Sequence, residues 1–380
     1  MGKGKKAVVT ILLSVCMLMA AVQNGFAQES NAVDSDNDSE IVENAIVNAV
    51  IDKFSNYYSI DDVRLTLCGV HEEQAKKEYF YKVELSAMLR YASVEEMDYF
   101  QGMTDAVGID LEDEGTFFNI ESAADGMQTE LRPYASAVFG ILEEEYEKLD
   151  TYIGKEQILP LYMKAVVDTN CCVELFMDAG EDYAPFEEFS LGSGDELRAN
   201  GVLCMTEELA EVRTRGMDSE EVYAARLSSE ANAVFYMISY TSNPTMCDYC
   251  GSACNAIRDR SKWNNSIYPV DYGHSDCADY VSQALKCAGF ATDEKWGYNN
   301  GNSTWTSVSA LTSYMLSKGR IGIAPSGVIK VGYLVANSSH IMMVTAFDGV
   351  SYRYSAHTRD RKDAVLTLGS GWTYYNVNYQ

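Results

Sequence analysis

The chain has 380 residues, of which 47% are hydrophobic, 11% aromatic and 22% charged, with 6 prolines and a formal net charge of −27. This composition excludes a wholly disordered, collagenous or multi-span membrane protein, and the length suits two domains at roughly 100–200 residues each. The acidic excess argues against a nucleic-acid partner, because phosphate binding needs clustered Lys and Arg.

Residues 1–27 read as a cleavable secretory signal. Lys3, Lys5 and Lys6 form a basic start, Ala7 to Val22 an apolar stretch, and Gly25-Phe26-Ala27 a small-residue cleavage site. The apolar stretch is shorter than the ~20 residues that span a bilayer. The mature chain is therefore expected to be exported, secreted or at the cell surface, with no stable membrane span. Removing those three lysines leaves 26 basic against 56 acidic residues, a charge of −30. Cys16 leaves with the signal, so nine of the ten cysteines remain. An odd number leaves at least one thiol free or paired between molecules.

Residues 28–40 are expected to be an acidic linker. Asp34, Asp36 and Asp38 imitate half a calcium loop, but Ser39 stands where that loop needs Gly and Ala45 where it needs Glu. From Ile41, apolar residues recur at helical spacing as far as Asn56. Lys77 to Leu89 predicts a strand, Val94 starts a short helix, and Tyr134 to Tyr152 predicts a longer one. Gln157–Val167 and Cys172–Met177 read as paired strands, followed by a turn-rich segment from Leu191 to Gly201. Thr206 can cap a helical stretch reaching Tyr240, with a break at Gly216. Residues 41–243 thus form an expected N-terminal α+β domain without visible chemistry. Residues 246–380 are expected to form a second domain, with three of the four histidines and five of the nine mature cysteines.

Cys247, Cys250 and Cys254 are spaced C-x2-C-x3-C, which invites a metal completed by His274, Cys277 or Cys287. The same spacing fits one face of a helix from Cys247 to Arg260, and this reading is preferred, so no metal is expected. Cys277 is placed differently. Gly273-His-Ser275 breaks the chain, Ser275 or Asp276 can cap a helix ending near Gly289, and Cys277 falls in its first turn. There the helix dipole favours a thiolate, and the backbone N–H groups can hold an oxyanion. Cys287 lies on the same helix as an expected core residue.

A thiol nucleophile needs a base, and the base an orienting group. His340 opens the apolar run Ile341 to Phe347, Asp348-Gly349 marks a turn, and a second run ends at His357. A two-residue turn pairs Phe347 with Val350 and sets His340 opposite His357, with Cβ atoms about 4.5–5.5 Å apart. His340 then serves as base and His357 orients it, with Asp360 and Asn337 as polar alternatives.

With those residues in place, the C-terminal segment resembles the bacterial putative amidase domain family, related to NlpC-type cell-wall cysteine peptidases of papain-like fold. The likeness rests on Asp276-Cys277-Ala278-Asp279-Tyr280-Val281-Ser282-Gln283, on Ser339-His340, and on Ser355-Ala-His357-Thr358-Arg359-Asp360-Arg361. Tyr249, Ala253, Ala288-Gly289, Trp305-Thr306 and Ala310-Leu311 agree, over about Tyr249 to Leu366. It implies a papain-like domain in which a nucleophile helix packs on a small antiparallel sheet, with Cys277 as nucleophile, His340 as base and His357 as third polar residue. The expected activity is hydrolysis of a peptide or peptidoglycan amide without a cofactor. Ala278 and Asp279 replace Thr-Asn, Gly332-Tyr333 replaces Gly-Asp, and Ser338 replaces Trp. These departures support the alternative, a secreted interaction protein whose papain-like domain has lost turnover.

Overall fold

The computed structural model describes residues 35–73, 76–109, 127–180, 182–215, 220–251, 257–325, 327–367 and 371–379. The signal segment, most of the acidic linker and Cys254 lie outside the described residues. Glu40–Gln380 form one compact unit.

The chain is α+β. Helix α1 (Ser35–Phe54) begins six residues before the expected start, inside the segment assigned to the linker. Its residues Val42, Ile46, Val50 and Phe54, at four-residue spacing, are all fully buried. Strands β1 (Tyr58–Glu73), β2 (Lys76–Leu89), β3 (Glu156–Asp168), β4 (Val173–Asp178) and β5 (Tyr183–Pro185) form an antiparallel sheet in chain order. The predicted pairing of β3 with β4 is present, with Met163 opposite Met177. β1 is an edge strand that periodicity does not reveal, because its polar residues Asp61, Asp62 and Arg64 blur its alternation.

Helices α2 (Asp98–Val107) and α3 (Ala135–Asp150) follow the expected order. Helix α4 (Gly194–Arg215) starts within the segment read as turn-rich. Thr206 therefore lies mid-helix, its hydroxyl donating to Val202 O at 2.7 Å, and does not cap. At the α2–α4 contact a Cβ on Gly201 would sit 1.9 Å from Tyr99 O, so only glycine permits this approach. Helix α5 (Glu220–Ser239) leads to the C-terminal segment.

That segment contains α6 (Cys277–Cys287), α7 (Val308–Ser317) and strands β6 (Ile321–Ile323), β7 (Leu334–Ala336), β8 (Ile341–Phe347), β9 (Tyr352–Ala356), β10 (Arg361–Val365) and β11 (Thr373–Val377). The strands form a second antiparallel sheet in the order β10-β9-β8-β7-β11-β6. Its central strands β7, β8 and β9 are buried on both faces. Met342, Val344 and Tyr354 join the core formed with residues of the first sheet, whereas Ile341 and Met343 pack with Tyr280, Val281 and Leu285 of α6.

A buried ion cluster ties the two sheets together. Asp178, at the end of β4, accepts from Arg359 Nη1 at 3.0 Å and from Arg361 Nε at 2.8 Å. The Arg361 guanidinium lies 3.4 Å from the centre of the Tyr162 ring. Burial raises the Asp178 carboxyl, but Arg361 and Arg359 outweigh it and hold the group below its ordinary range. Its contribution to stability is therefore present at neutral pH and lost as pH falls through the native value. Replacing Asp178 by Ala strands two buried guanidinium groups and is expected to cost about 3–5 kcal/mol in denaturant unfolding. A cost below about 0.5 kcal/mol would contradict the coupling.

Candidate active site around Cys277

Cys277 is the first residue of α6, as the sequence predicts, but the helix is capped from elsewhere in the chain. Asp276 occupies the cap position without making a side-chain cap bond. Instead Thr358 Oγ1, from the β9–β10 loop, accepts from Asp276 N–H at 3.0 Å and from Cys277 N–H at 3.2 Å. Thr358 has φ 81°, an unusual conformation for a β-branched residue, held while its hydroxyl serves two helix-start amides. The expected oxyanion donor at Cys277 is thus occupied by a side chain of the same protein.

The Asp276 carboxylate turns to His357. Its Oδ2 lies 2.7 Å from His357 Nδ1, while His357 Nε2 lies 2.7 Å from Tyr240 O. A backbone carbonyl only accepts, so Nε2 carries a proton. The carboxyl Oδ2 then carries the second proton and donates it to Nδ1. Burial pushes His357 down to about 4 and pushes Asp276 well above the carboxylate range. Both directions favour a neutral imidazole beside a protonated carboxyl. Asp276 Oδ1 is buried with no hydrogen-bond partner among the described residues, a position that costs a neutral carboxyl less than a carboxylate. The imidazole stacks on Tyr280 at 3.4 Å and on Trp263 at 4.3 Å. Asp360 fixes that indole, accepting from Trp263 Nε1 at 2.8 Å and from Asp259 N–H at 2.8 Å.

The histidines do not face each other as the hairpin reading predicts. Phe347 pairs with Tyr352 rather than Val350, and an irregularity between Val344 and Ala346 shifts the register further. The reason is Asp348. Buried beneath Tyr58 OH, it accepts from Val350 N–H at 3.1 Å and Ser351 N–H at 2.8 Å, making a four-residue turn of Asp348–Ser351. Carried to the strand ends, the pairing of Met343 with Ser355 sets His357 against Ile341. A one-residue slip exchanges faces. His340 meets the edge of Trp372, at 6.2 Å between ring centres, whereas His357 lies among Tyr280, Trp263 and Asp276.

His340 nevertheless lies directly before β8, between the two residues whose backbone faces Cys277. Cys277 Sγ lies 3.7 Å from Ser339 O, and the Ile341 N–H also faces the thiol. Asn337, expected as an orienting group, accepts from His340 N–H at 2.7 Å and so sets the backbone from which the imidazole projects. Cys277 and His340 are 6% and 3% exposed. Burial raises the Cys277 thiol above its ordinary value, outweighing the lowering effect of the Ile341 N–H, Thr358 and the Ala278 N–H. The expectation of a thiolate stabilised by the helix start is therefore corrected: the resting sulfur is a thiol. Asp279 is pushed up to about 8, first by burial and then by Asp276, while accepting from Trp305 Nε1 and Gln283 Nε2.

The expected helix from Cys247 to Arg260 is not seen among the described residues. Cys247–Gly251 instead form a turn that brings Cys247 and Cys250 to His274, while Cys287 ends α6 exposed.

Residues 228–380 match the putative amidase domain. This match covers both strands of the β8–β9 hairpin, α6 and the loop that caps it, but neither α1–α4 nor the first sheet. No curated protein and no solved structure matches the chain. Among the described residues no helix is long and apolar enough to cross a membrane.

The proton count of the His357–Asp276 pair generates a pH dependence. Above its unfolded value Asp276 keeps a proton only when folded, so its contribution is lost as pH rises; His357 acts oppositely as pH falls toward about 4. The two slopes cancel between roughly pH 4 and 6.5. Above that range the difference in unfolding free energy between the native protein and a Asp276→Asn/His357→Asn double variant should shrink by up to about 1.4 kcal/mol per pH unit. A difference that does not shrink as pH rises through the neutral range would contradict the proton held on Asp276.

Proposed function

We propose that the chain is an exported, cysteine-dependent amide hydrolase whose C-terminal segment has a papain-like arrangement. The coarse class, amide hydrolysis, follows from the domain match of residues 228–380. The observation that carries the finer reading is Cys277 at the start of α6, its sulfur against the 339–341 backbone from which His340 projects. The substrate is a peptide or cell-wall amide. Residues 1–27 serve as the export signal.

In this scheme His340 takes the proton from Cys277 as the sulfur attacks the amide carbonyl carbon. A C–S bond forms, the C–N bond breaks, and His340 returns the proton to the leaving amine. Water then attacks the thioester carbon while His340 accepts its proton; the C–S bond breaks, the carboxylic acid leaves, and His340 passes the proton to sulfur, restoring the thiol. His357 is a positioning residue: through Asp276 it fixes the helix start that carries Cys277. Substrate entry requires the thiol to be uncovered and Thr358 to release the Cys277 N–H, which then faces the carbonyl oxygen. Cavities of about 70 and 240 Å³ elsewhere in the protein are lined by neither Cys277 nor His340.

A second reading, a secreted interaction protein without turnover, is favoured by the Thr358 hydroxyl on both helix-start amides. Amine release from peptide and peptidoglycan-fragment amides distinguishes the two. Hydrolysis is expected in the native protein, is eliminated in Cys277→Ala, and falls about 10²–10⁴-fold in His340→Ala. Alkylation of Cys277, followed by peptide mass spectrometry, should stay slower than that of an exposed thiol at neutral pH and accelerate as pH rises, because burial raises this thiol. Hydrolysis that survives Cys277→Ala would refute the enzyme reading, and neither hydrolysis nor alkylation of the native protein would favour the interaction protein.

A further inference from the structure

Three soft ligands converge outside the Cys277 site. The ligand atoms of Cys247, Cys250 and His274 all lie within 4.8 Å of one another, and Cys247 Sγ is 3.2 Å from His274 Nε2. Tetrahedral zinc with bonds of about 2.3 Å to sulfur and 2.0 Å to nitrogen sets such atoms about 3.5–3.8 Å apart. Two thiolates and an imidazole are a zinc-type donor set, and C-x2-C is a zinc-type spacing.

The surroundings hold the ligands in place. Gly251 N–H donates to Cys247 O at 2.9 Å, and Gly251 has φ 69°, which closes a tight turn around the two cysteines. The segment bearing His274 is fastened to this turn by Arg258, whose buried guanidinium donates to Asp248 Oδ1 at 2.7 Å, Asp271 Oδ1 at 2.7 Å and Gly273 O at 2.6 Å. Tyr249 packs against both the His274 ring, at 4.8 Å, and the Arg258 guanidinium, at 4.9 Å. Cys247 is fully buried, His274 half-buried and Cys250 exposed, so the cluster is walled on one side and open to solvent on the other.

We propose that Cys247, Cys250 and His274 bind a zinc ion, which joins the turn following α5 to the segment leading into α6. Binding exchanges the two thiol protons for two Zn–S bonds and the Cys247···His274 contact for a Zn–N bond, with two protons released to solvent. Three protein ligands leave a fourth position for a water molecule or a further donor. His274 stands three residues before Cys277, so the ion stiffens the entry to the helix from outside the reacting groups. The site requires no activity at Cys277.

Metal content tests this directly. The full chain, purified with reductant and zinc and then dialysed against metal-free buffer, should retain about one zinc per chain. Cobalt(II) in its place should give the absorption of a tetrahedral thiolate site. Cys250→Ser and His274→Ala should each weaken zinc binding at least about tenfold, whereas Cys287→Ser, on the exposed end of α6, should leave it unchanged. Less than about a tenth of an equivalent in the native protein would overturn the proposal. So would a zinc content unchanged in both ligand variants, or a Cys247–Cys250 disulfide that persists under reductant and excess zinc.

Discussion

The contact between Asp276 and His357 determines where Cys277 stands. Over five consecutive residues, His357 grips Asp276, Thr358 caps the amides of Asp276 and Cys277, Asp360 fixes Trp263, and Arg359 and Arg361 reach Asp178 in the other sheet. Five neighbouring residues thus connect the start of α6 to both sheets. The Ser-x-His-Thr-x-Asp-Arg signature is, in this protein, a fastening whose members each hold a different element.

That arrangement separates roles that a linear triad would combine. An imidazole with one nitrogen on a carboxyl and the other on a backbone carbonyl has no nitrogen left to orient a second histidine. It can position the helix that bears the sulfur. His340, on the backbone segment touching that sulfur, remains the residue through which proton transfer is proposed. The same packing buries the thiol and fills a helix-start amide, so the described arrangement is a closed one, and the proposed chemistry demands local opening.

The sequence displayed most of the elements that present the site. The apolar stripe of α6, the runs that become β8 and β9, and the pairing of β3 with β4 all follow from periodicity. Long-range polar contacts were not legible. Asp276 and His357 are 81 residues apart, and nothing local distinguishes a cap that bonds its own helix from one turned toward a distant histidine. Asp348-Gly349 misled for a related reason: Tyr58, 290 residues away, meets the Asp348 carboxylate as it closes a longer turn, and the register moves with it. The cysteine spacing at Cys247 and Cys250 fitted either a helix or a metal turn, and the fold decides by bringing His274 to the turn.

The protonation of His357 tests the foundation of this account most directly. Nitrogen-resolved NMR of the imidazole between about pH 5 and 8 should show a neutral ring protonated at Nε2, without a titration step, because burial pushes this group down to about 4. A doubly protonated ring, a proton held at Nδ1 with Nε2 bare, or a titration within that interval would contradict it.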